Sequence, residues 1–270
     1  MESLGIDAGG TLIKVAYIEN ETIHYKMFQS NQFRDLKDWI DGNFASPNIA
    51  LTGGRQSDLE DYLGLPVMKV EEFIATSVGV KQLLSINEVK PGKTFLAVNI
   101  GTGTSIHLIK NGETTRVGGT GVGGGTILGL AHLLTGIKDF DKMVALAKQG
   151  NRDLDLKVKD IYGKAVPPID GNITASNFGN FFNIVNTQDY SDADILAALI
   201  GMVAEVIVVI SNAMAVQHDC ESIVYIGSTV HQNDYLKSVL REYKSLSGLE
   251  PLFIENGEYS GALGALKQLK

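Results

Sequence analysis

The stretch Ile6-Asp7-Ala8-Gly9-Gly10-Thr11 ends a short apolar run with an acid and a Gly/Thr turn. A related stretch, Val98-Asn99-Ile100-Gly101-Thr102-Gly103-Thr104, follows later in the chain. In both, an apolar strand, a polar residue and a Gly/Thr turn lead into further strands. The period of roughly ninety residues is far longer than that of a solenoid repeat, so we interpret it as an internal duplication of one supersecondary unit. Two similar lobes with a central cleft are therefore expected.

The segments that follow each turn support the duplication. Residues 12–18 and 22–28 are predicted to form two strands of a meander. Residues 105–110 and 113–117 repeat this arrangement on either side of Asn111-Gly112. Asn-Gly between two strand-like runs is a strong hairpin signal. Each unit thus begins with three consecutive strands.

A turn at Pro91-Gly92 lies between the two units and is a candidate lobe boundary. We therefore predict an N-terminal lobe at residues 1–90 and a C-terminal lobe at residues 91–270. Helices are predicted at residues 71–86 and from about residue 126, so both lobes combine strands with helices.

Composition limits the classes of partner. The chain has 270 residues and a formal net charge of -8. Nucleic acids and anionic membranes attract basic surfaces, so neither is an expected partner. The chain has one cysteine, Cys220, which excludes an intrachain disulfide and a cysteine metal cluster.

Two segments bear on the cellular location. The first residues lack a basic region followed by a long apolar stretch, so no signal peptide is expected and a cytoplasmic location is the default prediction. Residues 195–216 are strongly apolar, but Glu205 lies in their middle. A charge at the centre of a membrane helix is costly, so we predict a buried helix in the core or at a subunit interface.

The first turn has the residue types of a phosphate site. Glycines let backbone amides point at an anion, and Asp7 at the strand end can hold Mg²⁺ directly or through water. Thr11 adds a hydroxyl, and Lys14 can reach a phosphate as a point charge. An ordinary glycine-rich hairpin with a surface lysine is the alternative. The second turn at residues 101–104 favours a phosphate clamp made by both turns.

A third glycine cluster spans residues 118–125 and is predicted to be a loop that opens a helix. The N-terminus of a helix attracts phosphate groups. The cluster formally matches the dinucleotide-binding fingerprint but lacks the preceding βαβ context, which disfavours a nicotinamide cofactor. No Walker motif is present.

Two further residues are candidates for catalysis. Glu72, at the start of the helix predicted at 71–86, could accept the proton of a substrate hydroxyl, and the adjacent Glu71 could equally do so. Compensation of the helix dipole is the alternative role for either acid. Arg116 could hold a carboxylate or the transferring phosphoryl group, or it could be a solvated strand residue.

Taken together, these motifs resemble those of the eukaryotic-like, type II pantothenate kinases, in their staphylococcal and bacillar form. The resemblance covers the whole chain in order. The first motif alone marks only the broader superfamily of acetate and sugar kinases, heat-shock chaperone ATPases and actin. The matching stretches are Asp7-Ala8-Gly9-Gly10-Thr11-Leu12-Ile13-Lys14, Asn99-Ile100-Gly101-Thr102-Gly103-Thr104-Ser105, Arg116-Val117-Gly118-Gly119-Thr120, Tyr225-Ile226-Gly227-Ser228 and Glu255-Asn256-Gly257-Glu258-Tyr259-Ser260-Gly261-Ala262.

The resemblance implies an α/β, two-lobed actin-like (ribonuclease H-like) ATPase fold with duplicated mixed sheets, flanking helices and a central cleft. It implies that ATP and Mg²⁺ are used to convert pantothenate to 4′-phosphopantothenate, the first step of coenzyme A biosynthesis. It also implies a homodimer formed through the long apolar helix of the C-terminal lobe.

The resemblance assigns roles to individual residues. Glu72 would be the general base, and Arg116 would bind near the substrate and the phosphoryl group. Asp7 remains the metal ligand expected from its position at the strand end. The implied ATP-binding residues are Asp7, Ala8, Gly9, Gly10, Thr11, Leu12, Ile13, Lys14, Thr102, Gly121, Gly124, Gly125, Thr126, Ile127, Leu128, Phe140 and Ser228.

Two residues depart from the pattern of the family. Ile74 stands where an acid is expected, and Phe140 stands where a tyrosine is expected. Three alternatives share the fold: a sugar or amino-sugar kinase, an activator of radical dehydratases, and a non-enzymatic ATP-binding switch. The single cysteine disfavours the zinc loop of one sugar-kinase branch and the iron–sulfur cluster of the activators.

Overall fold

The computed structural model of the chain describes residues 2–184 and 190–269. Its first sheet has five strands in the order β3-β2-β1-β4-β5. The first three strands form an antiparallel meander, and β4 and β5 run parallel to β1. The strands are β1 (Ser3–Ala8), β2 (Leu12–Glu19), β3 (Thr22–Gln29), β4 (Asn48–Thr52) and β5 (Val67–Lys69).

The second sheet repeats this arrangement with the order β12-β11-β6-β7-β8. Again three antiparallel strands come first, and the last two strands run parallel to the first. The duplication and the α/β class predicted from the two turns are therefore confirmed. The remaining strands are β6 (Thr94–Ile100), β7 (Thr104–Lys110), β8 (Glu113–Thr120), the small pair β9 (Leu156–Lys157) and β10 (Thr174–Ser176), β11 (Ser222–Ile226) and β12 (Pro251–Phe253).

Ten α-helices surround the sheets in the part of the chain that the structure describes. The longest helix begins directly after its N-cap residue, Ser191. The Ser191 hydroxyl accepts a hydrogen bond from Asp194 N, and the Asp194 carboxylate accepts one from Ser191 N, so the two residues form a capping box. The helices are α1 (Phe33–Asn43), α2 (Gln56–Leu63), α3 (Glu72–Ile86), α4 (Gly124–Thr135), α5 (Phe140–Ala147), α6 (Val158–Tyr162), α7 (Phe181–Ile184), α8 (Asp192–Gln217), α9 (Asp234–Glu242) and α10 (Ser260–Leu266).

Each sheet has its own hydrophobic core. The first sheet packs against α1 and α2, and the larger core lies between the second sheet, α4, α5, α8 and α9. Between the sheets, α3 and α10 cross in contact with each other. Gly79 faces the Ser260 carbonyl, and Gly264 faces the Ala75 carbonyl. These two glycines allow the close approach of the helices, because no larger side chain fits at either position.

The same packing affects the proposed lobe boundary at residue 90. Helix α10, at the end of the chain, packs directly on β1, β2 and β4 of the first sheet. The division into residues 1–90 and 91–270 remains a proposal. It would assign α10 to the C-terminal lobe, although this helix packs against the sheet of the N-terminal lobe.

Among the described residues, α8 is the one helix long and apolar enough to cross a membrane. Most of it is buried inside the molecule, as is typical of a core helix. Glu205 in its middle is also buried, and its Oε1 accepts from Arg152 Nη2 at 2.6 Å, Tyr243 OH at 2.6 Å and Thr174 Oγ1 at 2.8 Å. A buried carboxylate is tolerated when it is paired and hydrogen-bonded in this way.

The structure corrects the prediction of a loop over residues 118–125. Strand β8 continues to Thr120, and α4 begins at Gly124 rather than near residue 126. Glycines inside a strand mark close approaches, and here the Met214 side chain lies against Gly118 while Arg116 crosses Gly119. Helices α2, α6, α7 and α9 were not predicted from the sequence.

Candidate active site

A cleft of about 400 Å³ lies where the two Gly/Thr turns face each other, at the carboxyl ends of β1 and β6. The turns meet directly, since Thr11 Oγ1 and Thr102 Oγ1 are 3.0 Å apart and hydrogen-bonded. Both turns close on themselves, with Gly9 N donating to Leu12 O and Gly101 N donating to Gly103 O. The cleft brings together the predicted site residues Asp7, Gly9, Gly10, Thr11, Leu12, Lys14, Glu72, Thr102 and Ser228.

Asp7 lies at the end of β1, opposite Lys14 of β2. Lys14 Nζ is 3.7 Å from Asp7 Oδ2, and both side chains are largely buried. Two glycines give the carboxylate its space: a Cβ at Gly53 would lie 2.5 Å from Asp7 Oδ1, and one at Gly261 would lie 2.8 Å from Oδ2. The carboxylate is thus held between two backbone segments beside a cation.

The donor set fits Mg²⁺ bound together with a nucleotide. Mg²⁺ usually takes one or two carboxylates and fills its other positions with water and phosphate oxygens. Within residues 2–184 and 190–269, no three His, Cys, Asp or Glu side chains converge as a metal cage. Asp7 could therefore hold the ion only in company with water and substrate phosphates.

The second turn also holds the start of α4. Gly124 N donates to Gly101 O, and Gly125 N donates to Thr102 O, both at 2.8 Å. These two amides of the helix N-terminus are therefore occupied by the protein, although they were predicted to contact ATP. Gly121 has open space around it, and Thr126 Oγ1 donates to Gly121 O at 3.3 Å.

Glu72 lies in the first turn of α3 and lines the cleft with Asp7 and Lys14. Desolvation by its surroundings raises the pKa of its carboxyl above the ordinary value, the Asp7 charge raises it further, and Lys14 opposes the shift. Glu71, the alternative base, instead lines a neighbouring pocket and makes no side-chain capping bond to the helix. Of the two acids, Glu72 is the one placed near the two Gly/Thr turns.

Arg116 lies in that neighbouring pocket of about 530 Å³, between β7, β8 and α3. A β-bulge in β8 pairs Arg116 with His107 and leaves Val117 unpaired. A bulge re-aims the side chains of a strand, and here it places Arg116 on the face that looks at α3. Its guanidinium lies 5.8 Å from the Phe73 ring centroid. Its Nη2 would be 2.9 Å from a Cβ at Gly119, so the side chain runs along the strand towards the cleft.

Several predicted nucleotide residues lie outside the cleft. The side chains of Ala8, Ile13 and Ile127 are fully buried in the hydrophobic cores, so only their backbone could face a ligand. Leu128 and Phe140 pack against the larger core, and Phe140 begins α5. Their contact with a nucleotide remains a prediction.

Sequence reasoning missed several residues that line the cleft. Gly53 has a φ of +93°, and a Cβ there would lie 2.5 Å from Asp7 Oδ1. Two signals could have identified part of this set: Asn99, the polar residue that the duplication matches to Asp7, and the glycines that follow β4. The missed lining residues are Gly53, Gly54, Asn99, Ser105 and Thr120, whereas Gly101, Gly103 and Thr104 belong to the turn that was predicted as the second half of the clamp.

Solved structures with this architecture include an activator of 2-hydroxyisocaproyl-CoA dehydratase from Clostridium difficile with bound ADPNP, at a TM-score of 0.67 and 16% identity over 98% of this chain and 93% of that chain. The ROK hexokinase of Thermus thermophilus matches with a TM-score of 0.52 and 15% identity over 99% of this chain and 98% of that chain. At such identities the likeness concerns the fold alone, and it confirms the predicted actin-like ATPase architecture.

Sequence comparisons identify the family. The family model described as Fumble matches residues 68–268. A type II pantothenate kinase of Bacillus thuringiensis subsp. konkukian is 43% identical over 271 residues, covering 98% of this chain and 97% of that protein. A type II pantothenate kinase of Staphylococcus saprophyticus is 40% identical over 264 residues, covering 97% and 98%. The chain belongs to the type II pantothenate kinase family.

Proposed function

We propose that this protein is a pantothenate kinase that transfers the γ-phosphoryl group of ATP to the 4′ hydroxyl of pantothenate, giving 4′-phosphopantothenate for coenzyme A biosynthesis. Relatives of nearly equal length bear the name of this activity. The observation that carries the proposal within this chain is the position of Glu72, which lines the same cleft as the two phosphate turns.

The residues of the cleft suit phosphoryl transfer, which depends on positioning and charge neutralisation. The amides and hydroxyls of the two turns would hold the phosphates, and Lys14 would neutralise part of their charge. Asp7 would hold Mg²⁺, which when bound neutralises charge on the phosphate oxygens. Ser228 and Phe140 are proposed to border the adenosine, with residues 121–128 closing on the nucleotide.

Glu72 is proposed as the general base. As the acceptor oxygen forms its bond to the γ-phosphorus, the bond from that phosphorus to the bridging oxygen of ADP breaks, and the hydroxyl proton passes to the Glu72 carboxylate. The raised pKa of Glu72 suits this role, because a more basic carboxylate is a better proton acceptor. Arg116 is proposed to steady the acceptor or the transferring group from the neighbouring pocket.

We further propose that the protein forms a homodimer through α8. The residues of α8 that are not buried include an apolar stripe with alternating spacings of four and three, as in a helix that packs against a second helix. Val209 is 48% exposed and Val216 is 59% exposed. The stripe consists of Met202, Val206, Val209, Ala213 and Val216. Light scattering after gel filtration tests whether the mass in solution is that of a dimer.

The activity is tested by ADP release from ATP and Mg²⁺ with pantothenate and, in parallel, with a panel of sugars and amino sugars. Release that requires pantothenate is the expected result. Release with a sugar and none with pantothenate would keep the fold and overturn the substrate. Release that no acceptor changes would indicate an ATPase switch.

A further inference from the structure

His107 is a buried histidine beside the cleft to which no role has been given above. It lies on β7 and is only 2% exposed. Its Nε2 is 3.1 Å from Ser105 Oγ, a hydrogen bond whose donor depends on the histidine tautomer. Residues two apart on a strand share a face, so Ser105 and His107 both look towards α3.

The two residues stand where the two cavities meet. Ser105 lines the cleft of the phosphate turns, whereas His107 lines the neighbouring pocket that holds Arg116. On α3 the same division recurs, since Glu72 lines the cleft and Phe73 lines the pocket. An acceptor whose hydroxyl reaches Glu72 while its body extends towards Arg116 would span both cavities, and Ser105 and His107 line one cavity each.

The contacts of His107 fix its ring from two sides. Its centroid is 5.2 Å from that of Phe73, and its cross-strand partner is Arg116. Burial first, and then the Arg116 charge, lower the pKa of His107 to about 4. The imidazole is therefore neutral near pH 7 and does not compete with Arg116 for an anionic group. A neutral, packed ring is suited to orient a neighbouring hydroxyl.

We propose that His107 is a positioning residue, which orients the Ser105 hydroxyl towards the acceptor between Glu72 and Arg116. The inference rests on the proposed kinase function and adds to it a pair of residues that selects and holds the acceptor. His107 itself does not touch the reacting atoms and acts through Ser105.

The test is a double-mutant cycle with His107→Phe, which keeps a ring against Phe73, and Ser105→Ala. Each single variant is expected to raise KM for pantothenate about 3- to 10-fold, the effect of one lost neutral hydrogen bond, with KM for ATP unchanged. KM for pantothenate in the double variant is expected to equal that of each single variant, because His107 acts through Ser105. His107→Gln, which retains a hydrogen-bonding nitrogen, is expected to recover most of the loss.

His24→Phe, on β3 and outside both cavities, is the matched control and is expected to have wild-type kinetics. Effects of the two single variants that multiply in the double variant would overturn the inference, as would an unchanged KM for pantothenate in Ser105→Ala alone. His107→Leu replaces His107→Phe in the cycle if the latter does not fold. A wild-type protein inactive on pantothenate would instead refute the proposed function, and the cycle is then run with the acceptor that is active.

Discussion

In each five-stranded sheet, a polar side chain near the end of the first strand lies against the glycine that follows the neighbouring parallel strand. Only in the first sheet is this polar side chain charged. After β4, Gly53 has a φ of +93° and lies against the Asp7 side chain and the next carbonyl. After β11, Gly227 has a φ of +104° and lies against Asn99 in the same way, with the same 2.5 Å from the would-be Cβ to the side-chain oxygen. The backbone of the duplicated unit is therefore preserved, and the ionisable group is not.

The residues that pair with Asp7 and Asn99 on the neighbouring strands also differ in charge. Lys14 pairs with Asp7 across β1 and β2, whereas Ser105 pairs with Asn99 across β6 and β7. The only other carboxylate among the residues lining this cleft, Glu72, also comes from the first unit. Within the cleft the first half thus supplies the charged groups and the second half supplies neutral hydrogen-bonding groups, whereas Arg116 of the second half lies in the neighbouring pocket.

The largest effect is expected for Asp7→Asn, which gives the first half the neutral residue of the second. We expect kcat with pantothenate to fall about 100- to 1000-fold, because the charged ligand for Mg²⁺ at the phosphates is lost. This fall is measured as kcat in steady-state kinetics at several Mg²⁺ concentrations. The substitution is nearly isosteric but leaves the largely buried Lys14 without its anionic partner, so the thermal unfolding midpoint is measured as well, to separate a loss of folding from a loss of chemistry.

The converse variant sharpens this result. Asn99→Asp alone should lose less than about tenfold in kcat, because it adds one charge to a site that needs none. Combined with Asp7→Asn, it should not restore activity. If the double variant recovers the wild-type rate, the two halves are interchangeable and the assignment of charge to the first half is wrong.

Glu72→Gln should come next in magnitude. We expect kcat to fall about 100-fold, since the amide cannot accept the proton of the acceptor hydroxyl. The Kd for ATP, measured by calorimetry, should stay within about twofold, because the proposed role of Glu72 is limited to the acceptor. Glu71→Gln is the matched control, and a larger loss in that variant would transfer the role to its neighbour.

The pH dependence of kcat/KM is expected to show a loss of activity as the pH falls through the raised pKa of Glu72. Glu72 acts as a base when ionised, and its pKa is raised, so activity should rise with pH and reach its plateau above the ordinary range of glutamate. Because the Asp7 charge contributes to the shift, Asp7→Asn should lower the pKa of Glu72. A carbon-13 NMR titration of the carboxyl checks the direction, and a pKa that rises in the variant would contradict it.

The last comparison concerns stability and uses Gly53→Ala and Gly227→Ala; of the two, only Gly53→Ala is also expected to lower kcat, because its Cβ would displace the Asp7 carboxylate. Each should lower the free energy of unfolding by about 2 kcal/mol or more, because positive φ adds to a steric clash. Gly64→Ala is the control, since its φ is +62° and nothing lies within 4 Å. It should cost about 1 kcal/mol in urea unfolding. Unequal losses at Gly53 and Gly227 would show that the two halves are not structurally equivalent.

Much of this comparison could be predicted from the sequence, because each turn combines a strand, a polar residue and glycines in a short segment. The α/β class, the duplication and the hairpin at Asn111-Gly112 all depend on such local signals, and positive φ at both residues confirms the hairpin. Helix α9 could have been found too, since Asn233 caps it by accepting from Leu236 N at 3.0 Å. Helix α2 buries only Leu59 and Leu63, which is a weak pattern.

Other features could not be predicted because they depend on contacts between distant segments. The bulge at Val117 aims Arg116, and the sequence contains no signal for its position. The glycines of β8 were expected in a loop because their close neighbours, such as Met214, come from another element. For the same reason the sequence did not indicate that the amides of Gly124 and Gly125 are occupied by the second turn.

The central claim is that the cleft between the two halves joins the γ-phosphoryl group of ATP to pantothenate. The direct test is to incubate the protein with Mg²⁺, pantothenate and ATP that carries oxygen-18 in its γ-phosphate. The products are then identified by mass spectrometry and phosphorus-31 NMR. The account predicts ADP and a labelled phosphate ester on the 4′ hydroxyl of pantothenate. Labelled inorganic phosphate with unchanged pantothenate would contradict it.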